Sequence, residues 1–296
     1  MPNQQEKSRG ELFTFSSALL WAFFPVVTVL TYAVLPSLVS LAWSTLLAAL
    51  FFALLITYRG KWKELNNLLL WKYGFYIALF TGILYYSLYF IGLETTTPGN
   101  SALIAQFEVF TSFLFFRLFR GERMSKEYII GSVLTVLGAA IVLGKDFSGI
   151  NIGDLFVLGA TIGAPIGNFF QQKAREIASS EVIMFLRSAI SAPAIFFLVY
   201  LFQAQASAEN LRDSLLFLVL NGILLFGLSK ILWIEGIHRI SVTKATALSS
   251  VTPLLTLLFA WIILQQVPTV WQITSLVPLI TGVLLLTDHI KLNRKY

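Results

Sequence analysis

The sequence contains no cysteine, which excludes a disulfide scaffold, thiolate metal sites and cysteine catalysis. It has only two histidines, His238 and His289, too few for a histidine metal centre or a Ser/His machine. Charge is scarce as well: 12% of residues are Asp, Glu, Lys or Arg, against roughly 25% in soluble domains. No G-x-x-x-x-G-K-[ST] run is present to make ATP the direct energy source, and no loop reads as a selectivity filter. Without a His cluster, a paired Asp motif or a nucleophile constellation, neither an enzyme nor a cofactor is expected. What remains is apolar. Hydrophobic residues make up 57% of the 296 and aromatic residues 15%, and the mean hydropathy is +0.78. That content rules out disorder and marks an integral membrane protein whose first partner is the lipid bilayer.

A hydrocarbon core about 30 Å thick needs about 20 apolar residues per helix. Runs of that length, broken by charges, Pro or Gly, predict ten spans: 12–33, 36–57, 72–93, 98–119, 126–144, 153–173, 181–203, 214–236, 242–263 and 268–288. The first follows a polar tail over 1–11 and lacks an A-x-A-like cleavage site, so it reads as a retained helix. A second tail covers 289–296. Placing the amino terminus in the cytoplasm puts seventeen basic residues on the inner face: Lys7, Arg9, Arg59, Lys61, Lys63, Lys72, Arg117, Arg120, Arg123, Lys126, Lys173, Arg175, Arg239, Lys244, Lys291, Arg294 and Lys295. Only Lys145 and Arg212 fall outside. This positive-inside bias predicts a multi-pass protein of the cytoplasmic (inner) membrane with both termini in the cytoplasm. It also accounts for the net charge of +6 without a nucleic-acid partner.

Ten spans divide into two fives. An offset of 144 residues aligns Gly92 with Gly236, Leu114-Phe115 with Leu258-Phe259, Ile129 with Ile273, Val133 with Val277 and Gly138 with Gly282. Because five is odd, the second copy runs with inverted topology. The expected fold is therefore all-α, ten transmembrane helices as two inverted five-helix repeats (12–144 and 153–288), with a substrate site between them near mid-bilayer.

At these residues the sequence resembles the drug/metabolite transporter superfamily in its EamA-like ten-helix form. The resemblance rests on Asn100-Ser101-Ala102-Leu103-Ile104 opening helix 4, Gly121-Glu122-Arg123 ending it, and Gly131 and Gly138 in helix 5. The second copy keeps Ala245-Thr246-Ala247-Leu248, Pro253 and Gly282. Three positions depart from the pattern. Glu108-Val109 stands where Thr252-Pro253 keeps the usual proline, Gln266 replaces the loop acid represented by Glu122, and Ser275 replaces the glycine represented by Gly131. The resemblance implies alternating-access transport of small polar organic solutes, often amino acids and often outward.

Ionisable groups inside spans cost about 2.5–3.5 kcal/mol on insertion scales and normally face the bundle interior. Glu108, near the middle of helix 4, is a candidate for binding a cation, a proton or a substrate amine. The plainer alternative is a carboxylate locked by one partner. Lys230 is the obvious counter-charge for Glu108 or for a substrate carboxylate. Trp21, Tyr85, Tyr89 and Gln106 are candidates to line the same space, where aromatic faces take apolar or cationic groups. Tyr86 is turned about 100° away from Tyr85 in a regular helix. Asn168, Gln171, Arg187 and Glu235 read as a gate or inner polar layer near the cytoplasmic ends, with snorkelling as the alternative for Arg187. Trp43, Trp62, Trp71, Trp233, Trp261 and Trp271 are less informative, several of them reading as simple interfacial anchors. Pro25, Pro165, Pro193, Pro253 and Pro278 are candidate bends. Gly159-x-x-x-Gly163-x-x-x-Gly167 suits close helix packing, within the fold or in a homodimer.

These residues predict a secondary transporter exporting a small polar metabolite, an amino acid or related compound, with proton or counter-substrate coupling. The alternatives are uptake or exchange of an anionic metabolite held by Arg187 and Lys230, or a non-transporting membrane scaffold.

Overall fold

The computed structural model describes residues 4–120, 126–143, 151–240, 244, 245, 248–286 and 290. Among them all regular structure is helical. Among the described residues ten apolar helices are present, six of them long and apolar enough to cross a membrane as they stand. The first five are helix 1 (Gln4–Thr31), helix 2 (Ser37–Arg59), helix 3 (Leu68–Leu93), helix 4 (Pro98–Ala105 continued by Phe107–Arg120) and helix 5 (Lys126–Leu143). Helix 6 (Ile152–Arg175), helix 7 (Ser180–Leu201), helix 8 (Leu215–Arg239), helix 9 (Ser249–Leu264) and helix 10 (Val270–Leu286) complete them. The Gly121-Glu122-Arg123 motif, Lys145, Thr246-Ala247, His289 and the 291–296 tail lie outside the described residues.

Helix 1 starts eight residues before the expected 12, so residues 4–11 are helical. The extension is polar yet docked. Glu6 accepts from Arg239 at 3.0 Å, and Glu11 pairs with Lys244. Helix 3 likewise begins at Leu68 instead of 72, where the Asn67 side chain accepts from the Leu69 N–H at 3.0 Å and caps the free first turn. Between helices 2 and 3, Gly60 takes a left-handed φ of 65° that ends helix 2, and a 3₁₀ turn over Trp62–Asn66 reverses the chain.

The packing obeys a single exchange rule in which each helix of the first five is replaced by its counterpart in the second. Helix 2 packs on helix 7 and helix 5 on helix 10, each pair being its own image, while helix 3 packs on helix 6 as helix 1 packs on helix 8. The Gly159/Gly163/Gly167 series serves the helix 3 contact. Atoms of Leu88, Leu84 and Thr81 are what a Cβ would meet at its three positions.

Two irregularities recur in both halves. Helix 3 is π-helical over Ala78–Tyr85, and helix 8 over Leu220–Leu228. Helix 4 breaks at Gln106, and helix 9 passes through a 3₁₀ turn over Ser249–Val251 just before Pro253. Each irregularity sits at nearly the same position of its repeat, which the repeat offset alone would demand of two copies of one design. Helix 1 also interrupts at Ala22–Phe23, where Pro25 lacks the N–H that would continue the ladder.

Candidate functional site

The irregular stretches converge. A cavity of about 120 Å³ lies between the repeats, lined by Ser17, Trp21 and Pro25 of helix 1, Thr81, Tyr85, Tyr86 and Tyr89 of helix 3, and Ala102, Gln106 and Glu108 of helix 4. Asn168 and Gln171 of helix 6, Arg187 of helix 7, Lys230 and Trp233 of helix 8, and Ser249 and Thr252 of helix 9 close the rest.

Local backbone geometry explains how so many polar groups share one space. Residues two apart on a regular helix point to nearly opposite sides, yet Gln106 and Glu108 both line the cavity because the helix 4 ladder is interrupted between them. In helix 3 the π-helical stretch ends at Tyr85 and runs directly into the regular turns that carry Tyr86 and Tyr89, and all three tyrosines line the cavity. Tyr85 stacks on Tyr89 with centroids 5.7 Å apart and meets Tyr86 edge-on at 5.2 Å. The Tyr89 hydroxyl donates to Ser101 at 3.1 Å, and Asn100 accepts from Gln272 of helix 10 at 2.8 Å. The Asn100-Ser101 opening of helix 4 therefore braces the site from outside it.

The three charged residues of the lining have different partners. Asn168 donates to Glu108 Oε1 at 2.8 Å. Lys230 Nζ lies 3.1 Å from the centroid of the Trp21 ring, which itself stacks on Phe24 at 4.1 Å. The Arg187 guanidinium carbon sits 5.5 Å from the Tyr86 centroid and 5.8 Å from that of Phe226. Among the described residues no ion pair joins Glu108 to Lys230, although both face the cavity. Close approach of helices 3 and 7 sets Arg187 in place: a Cβ on Gly82 would fall within 1.9 Å of Ser191 Oγ and 3.4 Å of Arg187 Cγ.

The structure thus brings Glu108, Lys230, Trp21, Tyr85, Tyr89 and Gln106 into one cavity. It divides the expected inner polar layer. Asn168, Gln171 and Arg187 belong to the cavity, and Arg187 is only 2% exposed, which removes snorkelling as its explanation. Glu235 lies elsewhere, at the basic end of the bundle. There it accepts from Arg175 at 3.0 Å, from Ser180 and from Arg239, tying helices 6, 7 and 8 together. Arg59 pairs with Glu181 at 3.1 Å at the same end. Glu64, in the turn between helices 2 and 3, accepts from the Ser179 N–H at 2.7 Å and from its hydroxyl at 2.9 Å. Partial burial alone would raise the Glu64 carboxyl, but these bonds and the nearby Lys61 outweigh it and hold the group below its ordinary 4.5.

Sequence reasoning set aside Tyr86 and Trp233 and overlooked Ser249 and Thr252. The signal that finds them is the repeat itself. The offset that aligns Gly92 with Gly236 also pairs Tyr86 with Lys230, Tyr89 with Trp233, Ala105 with Ser249 and Glu108 with Thr252, and all eight line the cavity.

The sequence profile of the EamA-like transporter family matches residues 8–144 and again 151–288. The chain belongs to the EamA-like transporter family. It is a multi-pass membrane protein, and membrane transport is the activity to which that membership assigns it. The chain is 26% identical over 225 residues to the "Uncharacterized transporter YoaV" of Bacillus subtilis (strain 168), covering 73% of each chain. A solved structure described only as "Crystal structure of protein" superposes on 94% of this chain and 96% of its own, with a TM-score of 0.70 at 20% identity. That likeness is one of fold.

Proposed function

We propose that this EamA-like chain is a secondary active transporter that moves a small amphoteric metabolite, an amino acid or related compound, by alternating access. Transport is coupled to a proton or a counter-substrate. The observation that carries the reading is the shared cavity with Glu108 on one repeat and Lys230 on the other, one charge for each end of a zwitterion. Trp21, Tyr85 and Tyr89 supply faces for the apolar or cationic part of the solute, and Gln106, Asn168 and Gln171 supply neutral hydrogen bonds. The distribution of basic residues supports the cytoplasmic membrane with both termini inside. The export direction rests on the resemblance to exporters.

Alternating access requires the two ends of the bundle to open in turn. The ion pairs centred on Glu235 would hold the inner end. Hydrogen bonds from Gln272 to Asn100 and from Asn151 to the Thr95 carbonyl would hold the outer end. Counterflow of labelled amino acids in proteoliposomes tests the reading: Glu108→Gln and Lys230→Met should each weaken apparent affinity by about tenfold or more, the scale of one lost charge-assisted hydrogen bond. Unchanged affinity in both variants would remove it.

A further inference from the structure

The cavity charges do not balance, and the imbalance bears on the solute. Resting on the reading that this cavity is the transport site, we propose that it selects an amino acid carrying a second anionic group, a dicarboxylic amino acid, over neutral amino acids.

Three charged side chains line the cavity: Glu108, Arg187 and Lys230. Elsewhere the protein pairs its buried or half-buried cations with carboxylates, as Arg175 and Arg239 do with Glu235. The two cavity cations are treated differently. Both rest on aromatic rings, Lys230 on Trp21 and Arg187 against Tyr86 and Phe226, and among the described residues neither has a carboxylate within 4 Å. A ring face attracts a cation but leaves most of its N–H donors uncommitted. Arg187, 2% exposed, also hydrogen-bonds the Tyr86 side chain, and the remaining donors of its rigid guanidinium are suited to binding a carboxylate. Glu108 commits one oxygen to Asn168, and its other oxygen is left to accept from an ammonium.

A neutral amino acid satisfies Glu108 and one of the two cations, and the remaining buried cation stays uncompensated, which is costly. A solute with one ammonium and two carboxylates satisfies all three and leaves the loaded cavity electrically neutral. The repeat does not dictate these charges, because Lys230 answers to Tyr86 and Glu108 to Thr252. The charged set is particular to this cavity.

The full chain in proteoliposomes preloaded with L-aspartate is the test, with exchange of labelled L-aspartate measured against L-glutamate, L-serine and succinate as competitors. Glutamate is expected to compete at concentrations about tenfold or more below those needed for serine or succinate. Arg187→Met should collapse the preference for aspartate over serine, whereas Arg187→Lys, which keeps the charge, should retain part of it. Both variants are checked for monodispersity, and the lysine variant carries the test if the methionine variant does not fold. Serine competing as well as glutamate, or moving where aspartate does not, overturns the dicarboxylic assignment and leaves the transport reading standing. Succinate competing as well as glutamate overturns it by showing that no ammonium is read. If none of the four solutes is exchanged or raises the melting temperature of the purified protein, the cavity reading falls with it.

Discussion

A carboxylate, an arginine and a lysine inside apolar helices are expensive, and their rarity is what made them conspicuous. Of the chain's 21 Lys and Arg, only Arg187 and Lys230 fall inside predicted spans away from the loop clusters, so Lys230 and Glu108 could be singled out without coordinates. Their partners could not. Whether Arg187 snorkels or turns inward depends on the rotation of helix 7, which hydropathy does not report and which its packing, including the close approach at Gly82, sets. At the rim of the membrane a single carboxylate makes a sharper prediction. Because Glu64 titrates below its ordinary 4.5 in the folded protein, its contribution to stability is fully present above that value and is lost as the pH falls through the depressed one. Glu64→Gln should therefore lower stability by about 1–3 kcal/mol near neutral pH. The gap to the parent protein should close on acidification below the ordinary carboxylate range. Thermal melts of the two proteins in detergent across pH 3–8 (about that range, to bracket the carboxylate values) check it. A constant gap would show that the Ser179 contacts do not depend on the Glu64 charge.

Among the elements, helices 3, 4, 8 and 9 build the site by departing from regular geometry. Hydropathy located helices 3, 4 and 8 to within a few residues and the end of helix 9 to within one, its start being expected seven residues before Ser249, but assumed a uniform 100° step. That assumption turns Tyr86 away from Tyr85, and Trp233 reads as uninformative because tryptophan is common at membrane interfaces. The structure lines the cavity with both. Proline marks the helix 9 break at Pro253, while the helix 4 break has no such marker at Val109. Small residues at helix crossings make a second element-scale prediction. A Cβ on Gly282 would lie 2.7 Å from the Gly131 carbonyl oxygen and 2.8 Å from the Thr135 nitrogen, both backbone atoms that cannot yield without parting helices 5 and 10. Gly282→Ala should destabilise the protein by about 1–3 kcal/mol despite alanine's better helix propensity. Gly159→Ala is the matched control. Its nearest atom would be Leu88 Cδ1 at 3.8 Å, so it should be neutral or stabilising by up to about 1 kcal/mol. Equal melting temperatures for the two variants would refute the packing account.

For the molecule as a whole, the absence of cysteine becomes experimentally useful, since any introduced thiol is the only one present. Lys63→Cys, in the turn after helix 2, should react with an impermeant maleimide only after the cells are opened. Gln205→Cys, in the exposed turn after helix 7, should react in intact cells. The reverse pattern would invert the proposed orientation. The sequence by itself determined the solvent in which the protein folds, the number and rough bounds of its spans, the division into two fives and the side that collects basic charge. Each of these follows from composition and transfer free energy summed along the chain, which act before any two helices meet. Only the tertiary structure decided which faces turn inward. It placed Arg187 with the cavity and Glu235 with the ion pairs at the basic end of the bundle, and it brought Tyr86, Trp233, Ser249 and Thr252 to the cavity. The physical reason is that a helix buried on several sides has no strong amphipathic stripe for the sequence to show. Its rotation is set by where small residues let a neighbouring backbone approach, and by local breaks in the hydrogen-bond ladder.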